Sequence, residues 1–397
     1  MKGNDRKEIS LYLHIPFCVK KCNYCDFLSF PDSSILEQKT YVKKLLQELE
    51  LYKDIAGAYQ VVSVFLGGGT PSQLQEGLVE QLFHGLYSIW TLKEGAEITI
   101  ECNPGTLTAS KLEEYRNCGI NRLSLGLQST DKEELKRLGR IHNYDQFVAN
   151  YQLAREAGFQ NINVDIMSGL PGQTQSTYGR TLGKVLELGP EHISAYSLSI
   201  EEGTPFGEHP ELLEPLPSEQ VERNMYHYTK RVTNSMGYEQ YEISNYAKLG
   251  YACIHNLGYW TGREYLGFGL GASSYWQGIR FENTRDMQEY LSDWGTDDKT
   301  VLRRNIVPVT RKSRMEEFMF LGLRLTRGVS KEEFFQRFQI PMEELYGTVI
   351  PSYVEQGFLT WQNGNLRLTE KGIDVSNRIL ADFLLDELEE TDGIPME

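Results

Sequence analysis

No stretch of the 397-residue sequence approaches the ~20 consecutive apolar residues that cross a bilayer. Residues 1–8 lead into no signal-peptide core either, so a cytosolic location without a transmembrane segment is expected. Basic residues are outnumbered, with 40 Lys and Arg against 55 Asp and Glu, a formal net charge of −15. Binding to a phosphate backbone needs a basic face, so no nucleic-acid partner is expected. Cysteine is sparse as well. Six in a chain of this length are too few for a disulfide scaffold. Three of them, Cys18, Cys22 and Cys25, fall within eight residues, and in a reducing compartment such clustering points to metal.

What is present reads as α/β. Strand-like apolar runs cover residues 11–15, 61–66, 97–101, 122–127, 163–167 and 192–198. Helix-period stretches alternate with them at 37–55, 78–90, 109–118, 144–157, 176–188 and 220–236. Six strand-then-helix units predict a parallel sheet, curled by right-handed crossovers into a partial (β/α)6 barrel. The Pro- and Glu-rich stretch 201–219 reads as an excursion after the sixth strand. The domain expectation is a barrel over 1–240, an irregular Tyr-, Gly- and Asn-rich connection over 241–310, and a mainly helical unit over 311–397. In that last unit, helices at 314–325, 331–338 and 345–355 precede a hairpin of 359–361 and 366–368 turned by Asn363-Gly364, then a helix at 370–385 and an acidic tail. Three helices and a wing resemble a winged-helix module, and without a strongly basic surface a packing role is preferred to DNA binding.

The chemistry concentrates at the ends of the predicted strands, where parallel α/β folds assemble their sites. After the first strand, Cys18, Cys22 and Cys25 follow the spacing C-x3-C-x2-C. Thiolates this close can hold three corners of a [4Fe-4S] cubane. The fourth iron then stays open to chelate S-adenosylmethionine and pass an electron into its sulfonium. A four-ligand zinc site is the bland alternative, although no second C-x2-C pair accompanies the loop. Cys102, Cys118 and Cys253 read as buried small hydrophobes. Gly67-Gly68-Gly69-Thr70-Pro71 ends the second strand, where glycines let the backbone approach a ligand. Glu101, Gln128 and Asp165 follow or end later strands, where a polar group needs a partner or a ligand. Structural hydrogen bonds are the alternative for each, and a solvated helix-end charge is the alternative for Arg140.

These residues resemble a known family. The loop preceded by Tyr12-Leu13-His14-Ile15-Pro16-Phe17, the run Gly67–Pro71 and the run Asp165–Pro171 look like the oxygen-independent coproporphyrinogen III oxidase group of radical-SAM proteins. The resemblance implies cluster ligation by Cys18, Cys22 and Cys25. It also implies S-adenosylmethionine contacts by Tyr12, Tyr24, Gly68, Gly69, Thr70, Glu101, Gln128, Arg140 and Asp165. Where the oxidases carry a further cysteine this chain has Phe27, and only eleven residues precede Tyr12. Both features are similar to the HemW branch, the heme chaperones, as is His255-Asn256-Leu257-Gly258-Tyr259-Trp260, which matches the motif H-N-x-x-Y-W. The branch implies haem as bound cargo, with His255 as a candidate axial ligand, and Asn256, Tyr259 and Trp260 as further contacts. A hydrogen-bonded tie of the irregular segment to the barrel is the other reading of His255 and Asn256. Haem-acceptor proteins, membrane-bound ones included, are the implied partners. Oxidative decarboxylation of coproporphyrinogen III to protoporphyrinogen IX is the alternative function.

Overall fold

Each long strand in the first half of the chain is an apolar run buried on both faces, as a helix-covered parallel sheet requires. The structure, a computed structural model, describes residues 6–295 and 297–385. The first six strands are β1 (Lys7–Ile15), β2 (Tyr59–Gly68), β3 (Leu92–Cys102), β4 (Arg122–Gln128), β5 (Ile162–Ser168) and β6 (His192–Ser197). They lie side by side in chain order, and every neighbouring pair is parallel. The expected strand-then-helix alternation is therefore present.

The helices between the strands carry their own start signals. Ser34 caps α1 (Ile35–Glu50), and Glu37 reaches back to the Ser34 backbone in a capping box. After α2 (Leu78–Ile89) and α3 (Ala109–Asn117), Asp131 caps α4 (Lys132–Arg137), a short helix that the sequence pattern does not predict. Asn143 and Gln146 form a second capping box on α5 (Tyr144–Glu156). α6 (Gln175–Leu188) and α7 (Glu219–Ser235) complete the fifth and sixth units. The excursion before α7 folds into two short helical turns, Pro205–Glu208 and Pro210–Leu213.

The segment expected to be irregular is more ordered than its composition suggests. After β7 (Glu239–Gln240) it contributes β8 (Asn245–Ala247), the helix α8 (Ile254–Trp260), β9 (Tyr265–Phe268), β10 (Ser273–Trp276) and β11 (Ile279–Asn283), followed by β12 (Arg303–Pro308). β9 pairs in parallel with β1, so seven parallel strands run together. Among the described residues the sheet has twelve strands in the order β12-β11-β10-β9-β1-β2-β3-β4-β5-β6-β8-β7, open at both ends: a partial barrel. Strands of two to five residues carry too little periodicity to stand out from turns.

The chain divides into two compact units. One comprises residues 1–240, 244–258 and 263–307, and its core is the continuous packing of Leu11, Leu13, Val64, Ile100, Leu125, Val164 and Ile193 with the covering helices. The other comprises 241–243, 259–262 and 308–397. Among its described residues it holds α9 (Arg311–Gly322), β13 (Val329–Ser330), α10 (Lys331–Phe338), α11 (Met342–Leu345), α12 (Val349–Glu355) and the hairpin β14 (Leu359–Gln362) and β15 (Asn365–Leu368). Two short helices, Glu370–Ile373 and Ser376–Ala381, follow where one longer helix is expected. Asn363 and Gly364 both take positive φ at the hairpin turn, as a two-residue loop matched to strand twist demands. The acidic tail expected after residue 385 lies outside the described residues.

Candidate metal centre and cofactor pocket

The seven parallel strands end on one rim, and the cysteine loop closes over it. Ile15 ends β1, Phe17 and Cys18 pair briefly with Phe30 and Pro31, and Cys22 and Cys25 occupy the loop between. Beneath the loop, the end of β2 must come very close. The amide of Gly69 donates to Ile15 O at 2.9 Å, and that of Thr70 donates to Phe17 O at 2.7 Å. A Cβ on Gly69 would stand 2.7 Å from Phe17 O, and one on Gly68 only 2.4 Å from the His14 ring. Gly68 also holds φ at 114°. The glycine run is thus required by close approach, not by a turn alone.

A chain of side-chain hydrogen bonds joins two of the cysteines from outside the loop. Cys18 Sγ lies 3.5 Å from Thr70 Oγ1, which accepts from Asn103 Nδ2 at 2.7 Å. Asn103 Oδ1 accepts from Arg140 Nη2 at 3.0 Å, and Arg140 Nη1 donates to Cys22 Sγ at 3.6 Å. Arg140 also donates to Gly126 O. It is therefore part of the pocket, not the solvated helix-end charge of the bland reading. Asn103 is a residue the sequence does not single out, although it stands two places after Glu101.

The remaining polar groups line the same space. Glu101 accepts the Gly68 amide at 3.1 Å, and burial, reinforced by Asp165, pushes its carboxyl up to about 8. Asp165, in the middle of β5 and not at its end, is raised by burial and accepts from Asn163 and Ser124 at 2.8 and 3.2 Å. Gln128 stands at φ 68° at the end of β4 and accepts from Tyr196 Oη at 2.9 Å. Tyr196, on β6, is a second lining residue without a sequence signal. Tyr12 stands one layer back. Its hydroxyl lies 3.1 Å from His14 Nδ1, and His14 Nε2 lies 2.8 Å from Leu28 O at the far end of the loop. Burial lowers His14 to about 4, so the ring is neutral. A neutral ring that donates from Nε2 leaves Nδ1 to accept from Tyr12.

Cys18, Cys22, Cys25, Tyr24, Gly68, Gly69, Thr70, Glu101, Gln128, Arg140 and Asp165 all line one cavity of about 120 Å3. A second chamber of about 380 Å3 shares the walls Tyr24, Phe27, Glu101, Asp165 and Tyr196, and extends to Arg122, Asn163 and Asn256. Among the described residues no three His, Cys, Asp or Glu side chains converge tightly enough for a single metal ion, as zinc would need. Three thiols spread around a loop fit the separate corners of a cluster instead. Burial raises Cys18, and it pushes Cys25 up to about 11, so bound metal is what would keep these groups as thiolates.

The residues of the His255 motif divide between the two compact units. His255 is 2% exposed, with Nδ1 2.9 Å from Ser63 Oγ and its ring 5.1 Å from that of Phe65. Burial lowers it to about 3. The amides of Ile254 and His255 each donate to the Glu97 carboxylate at 3.0 Å, tying α8 to β3. Asn256 faces the larger chamber. Tyr259 and Trp260 belong to the other compact unit, where the Arg324 guanidinium lies 4.4 Å over the Trp260 ring.

Comparison with known proteins gives the family and the fold. Residues 12–185 match the radical SAM superfamily, and residues 309–375 match the HemN C-terminal domain. The chain is 35% identical over 384 residues to the heme chaperone HemW of Lactococcus lactis subsp. lactis, covering 96% of this chain and 99% of that one. It is 34% identical to the heme chaperone HemW of Escherichia coli, covering 95% and 98%. Among solved structures, the coproporphyrinogen III oxidase HemN from Escherichia coli, a radical SAM enzyme, superposes with a TM-score of 0.84 at 22% identity, covering 96% of this chain and 91% of the other. That last likeness concerns the fold.

Proposed function

The chain belongs to the HemW heme chaperone family, and from that premise we propose that it binds haem as cargo and delivers it to acceptor proteins, membrane-bound ones among them. The carrying observation is that the three loop cysteines share one cavity with polar residues from the successive strand ends, in a chain similar over 96% of its length to a heme chaperone. In this reading Cys18, Cys22 and Cys25 hold a [4Fe-4S] cluster beside S-adenosylmethionine, which together supply one-electron cleavage chemistry when bound.

The chain's own residues bind and orient. Gly68 and Gly69 let backbone approach the methionine end of the nucleoside ligand, and Glu101 and Asp165 offer carboxyl oxygens to its ammonium and hydroxyl groups. Arg140 offsets thiolate charge beside Cys22, and Tyr24 and Gln128 wall the pocket. Tyr12 acts from behind, oriented by His14.

For haem contact we propose Asn256, Tyr259 and Trp260 on α8, with His255 supplying an axial imidazole once it leaves Ser63. Titration of haem into the purified chain, followed by its Soret band, tests this. Stable binding is expected, weakened in His255→Ala. If the wild-type chain gives no stable Soret complex, the chaperone reading fails. If His255→Ala lowers only the melting temperature, the imidazole is a structural tie.

A further inference from the structure

Asp165, which lines both cavities, is held by a single amide. Asn163 stands two places before it on β5, on the same face of the strand, and is 2% exposed. In register across three neighbouring strands, Ser124 on β4 lies beside Asn163, and Asn163 beside His192 on β6. One row on, Asp165 lies beside Ser194. Asn163 Nδ2 donates to Asp165 Oδ1 and to Ser124 Oγ, both at 2.8 Å. Its Oδ1 accepts from Ser194 Oγ at 3.1 Å and lies 2.6 Å from His192 Nδ1. Hydrogen-bonding chemistry permits one orientation. A carboxylate only accepts, so the amide NH2 must face Asp165 and its oxygen must face β6. That oxygen also only accepts, so His192 must carry a proton on Nδ1. Burial lowers His192 well below its usual value, so the ring is neutral. Ser124 Oγ, receiving from Asn163, donates in turn to Asp165 Oδ2 at 3.2 Å.

Each oxygen of Asp165 thus receives a donor, and the direction of the whole row is set at His192. Burial pushes the Asp165 carboxyl up, while the hydrogen bonds of Asn163, Ser194 and Ser124, with the Arg122 charge, pull it back. We infer that Asn163 and His192 are positioning residues for the nucleoside ligand: by aiming donors at Asp165 they keep it an acceptor for that ligand's hydroxyl or ammonium group. The inference rests on the reading of Asp165 as a ligand contact given above. Among the described residues, the other charged or titratable groups about Asp165 are Arg122 on β4, Glu101 on β3, Tyr196 on β6 and Tyr24 of the cysteine loop. None of these changes in the variants that test the pair.

Calorimetric titration of S-adenosylmethionine into the cluster-loaded protein, from about pH 5.5 to about pH 8.5, is the test. Asn163→Leu keeps the volume and removes the donor. It should weaken binding about tenfold near neutral pH, and the pH below which affinity falls should rise by about one unit. His192→Gln keeps an N–H and should bind within about threefold of wild type, while His192→Leu should follow Asn163→Leu. Unchanged affinity in Asn163→Leu, or weaker binding with the acid limb unmoved, overturns the positioning role. So does His192→Gln binding as poorly as His192→Leu, since the ring would then act by packing. If a leucine variant does not fold, Ser124→Ala decides. It removes the donor to Oδ2 and should move the same limb upward, and an unmoved limb overturns the proposal. A cluster-loaded wild-type chain that binds no S-adenosylmethionine removes the function reading, and this proposal with it.

Discussion

Asn103 ties the two halves of the pocket together through Thr70 and Arg140, so its loss should be felt at the metal before it is felt in the fold. Outer partners of metal ligands typically change affinity by about 10- to 100-fold. Asn103→Ala is therefore expected to raise the rate of iron release to a chelator by about tenfold, with little change in the melting temperature of the metal-free chain. Two glycines separate backbone cost from crowding. At Gly364, φ is 79° and a Cβ would meet nothing within 4 Å, so Gly364→Ala should cost only about 1 kcal/mol. At Gly68 the same substitution also drives a Cβ to 2.4 Å from His14. It should cost more than Gly364→Ala by denaturant titration, and it should also weaken S-adenosylmethionine binding by calorimetry. Equal costs at the two positions would contradict the close-approach argument.

Among the elements, α8 depends on a residue far away in sequence. Glu97 on β3 accepts the first two amides of the helix, those of Ile254 and His255, and the Cys253 thiol. Glu97→Gln keeps the volume and removes one acceptor oxygen, leaving a buried amide short of a partner at about 1–3 kcal/mol. Faster hydrogen exchange at residues 254 and 255 is expected, while that of β1 and β2 stays put. Element type was legible where strands are long. β1 to β6 announce themselves as apolar runs between helix-period stretches. The strands from β7 to β11 span two to five residues each and include polar buried positions such as Asn245, Ser274 and Asn283. Their strand state comes from pairing with β1, β6 and one another, which no local pattern records.

For the whole molecule, buried titratable groups of both kinds set the acid response. Burial holds His14 and His142 down to about 4 and His255 to about 3, with His192 lowered as well. The unfolded chain takes up protons at these sites first, so stability is lost as pH falls below about 6.5. Burial raises Glu48 to about 7 and Glu101 to about 8. There the folded state holds the proton that the unfolded state has released, so stability is lost as pH rises above about 4.5 toward 8. Asp165 and Glu222 are raised in the same sense, so four carboxyls oppose four imidazoles, and the sum turns over where imidazole uptake begins to outweigh them. Thermal melts of the metal-free chain should therefore peak between about pH 6 and 7 and fall on both sides. A plateau extending to pH 5 would contradict the buried, neutral histidines.

The sequence alone determined the alternation of strand and helix, the three-thiol loop and the strand-end positions of Gly68, Glu101 and Gln128. These are local facts: periodicity, spacing, and polar residues where apolar runs stop. Tertiary structure alone decided that Asn103 and Tyr196 join the pocket, that Arg140 turns inward to Cys22, and that His255 is held inside the barrel by Ser63 and Phe65. Each of these depends on segments tens to hundreds of residues apart being brought together by the fold. A hydrogen bond between Ser63 on β2 and His255 on α8 is a property of the tertiary structure, and no stretch of chain contains it.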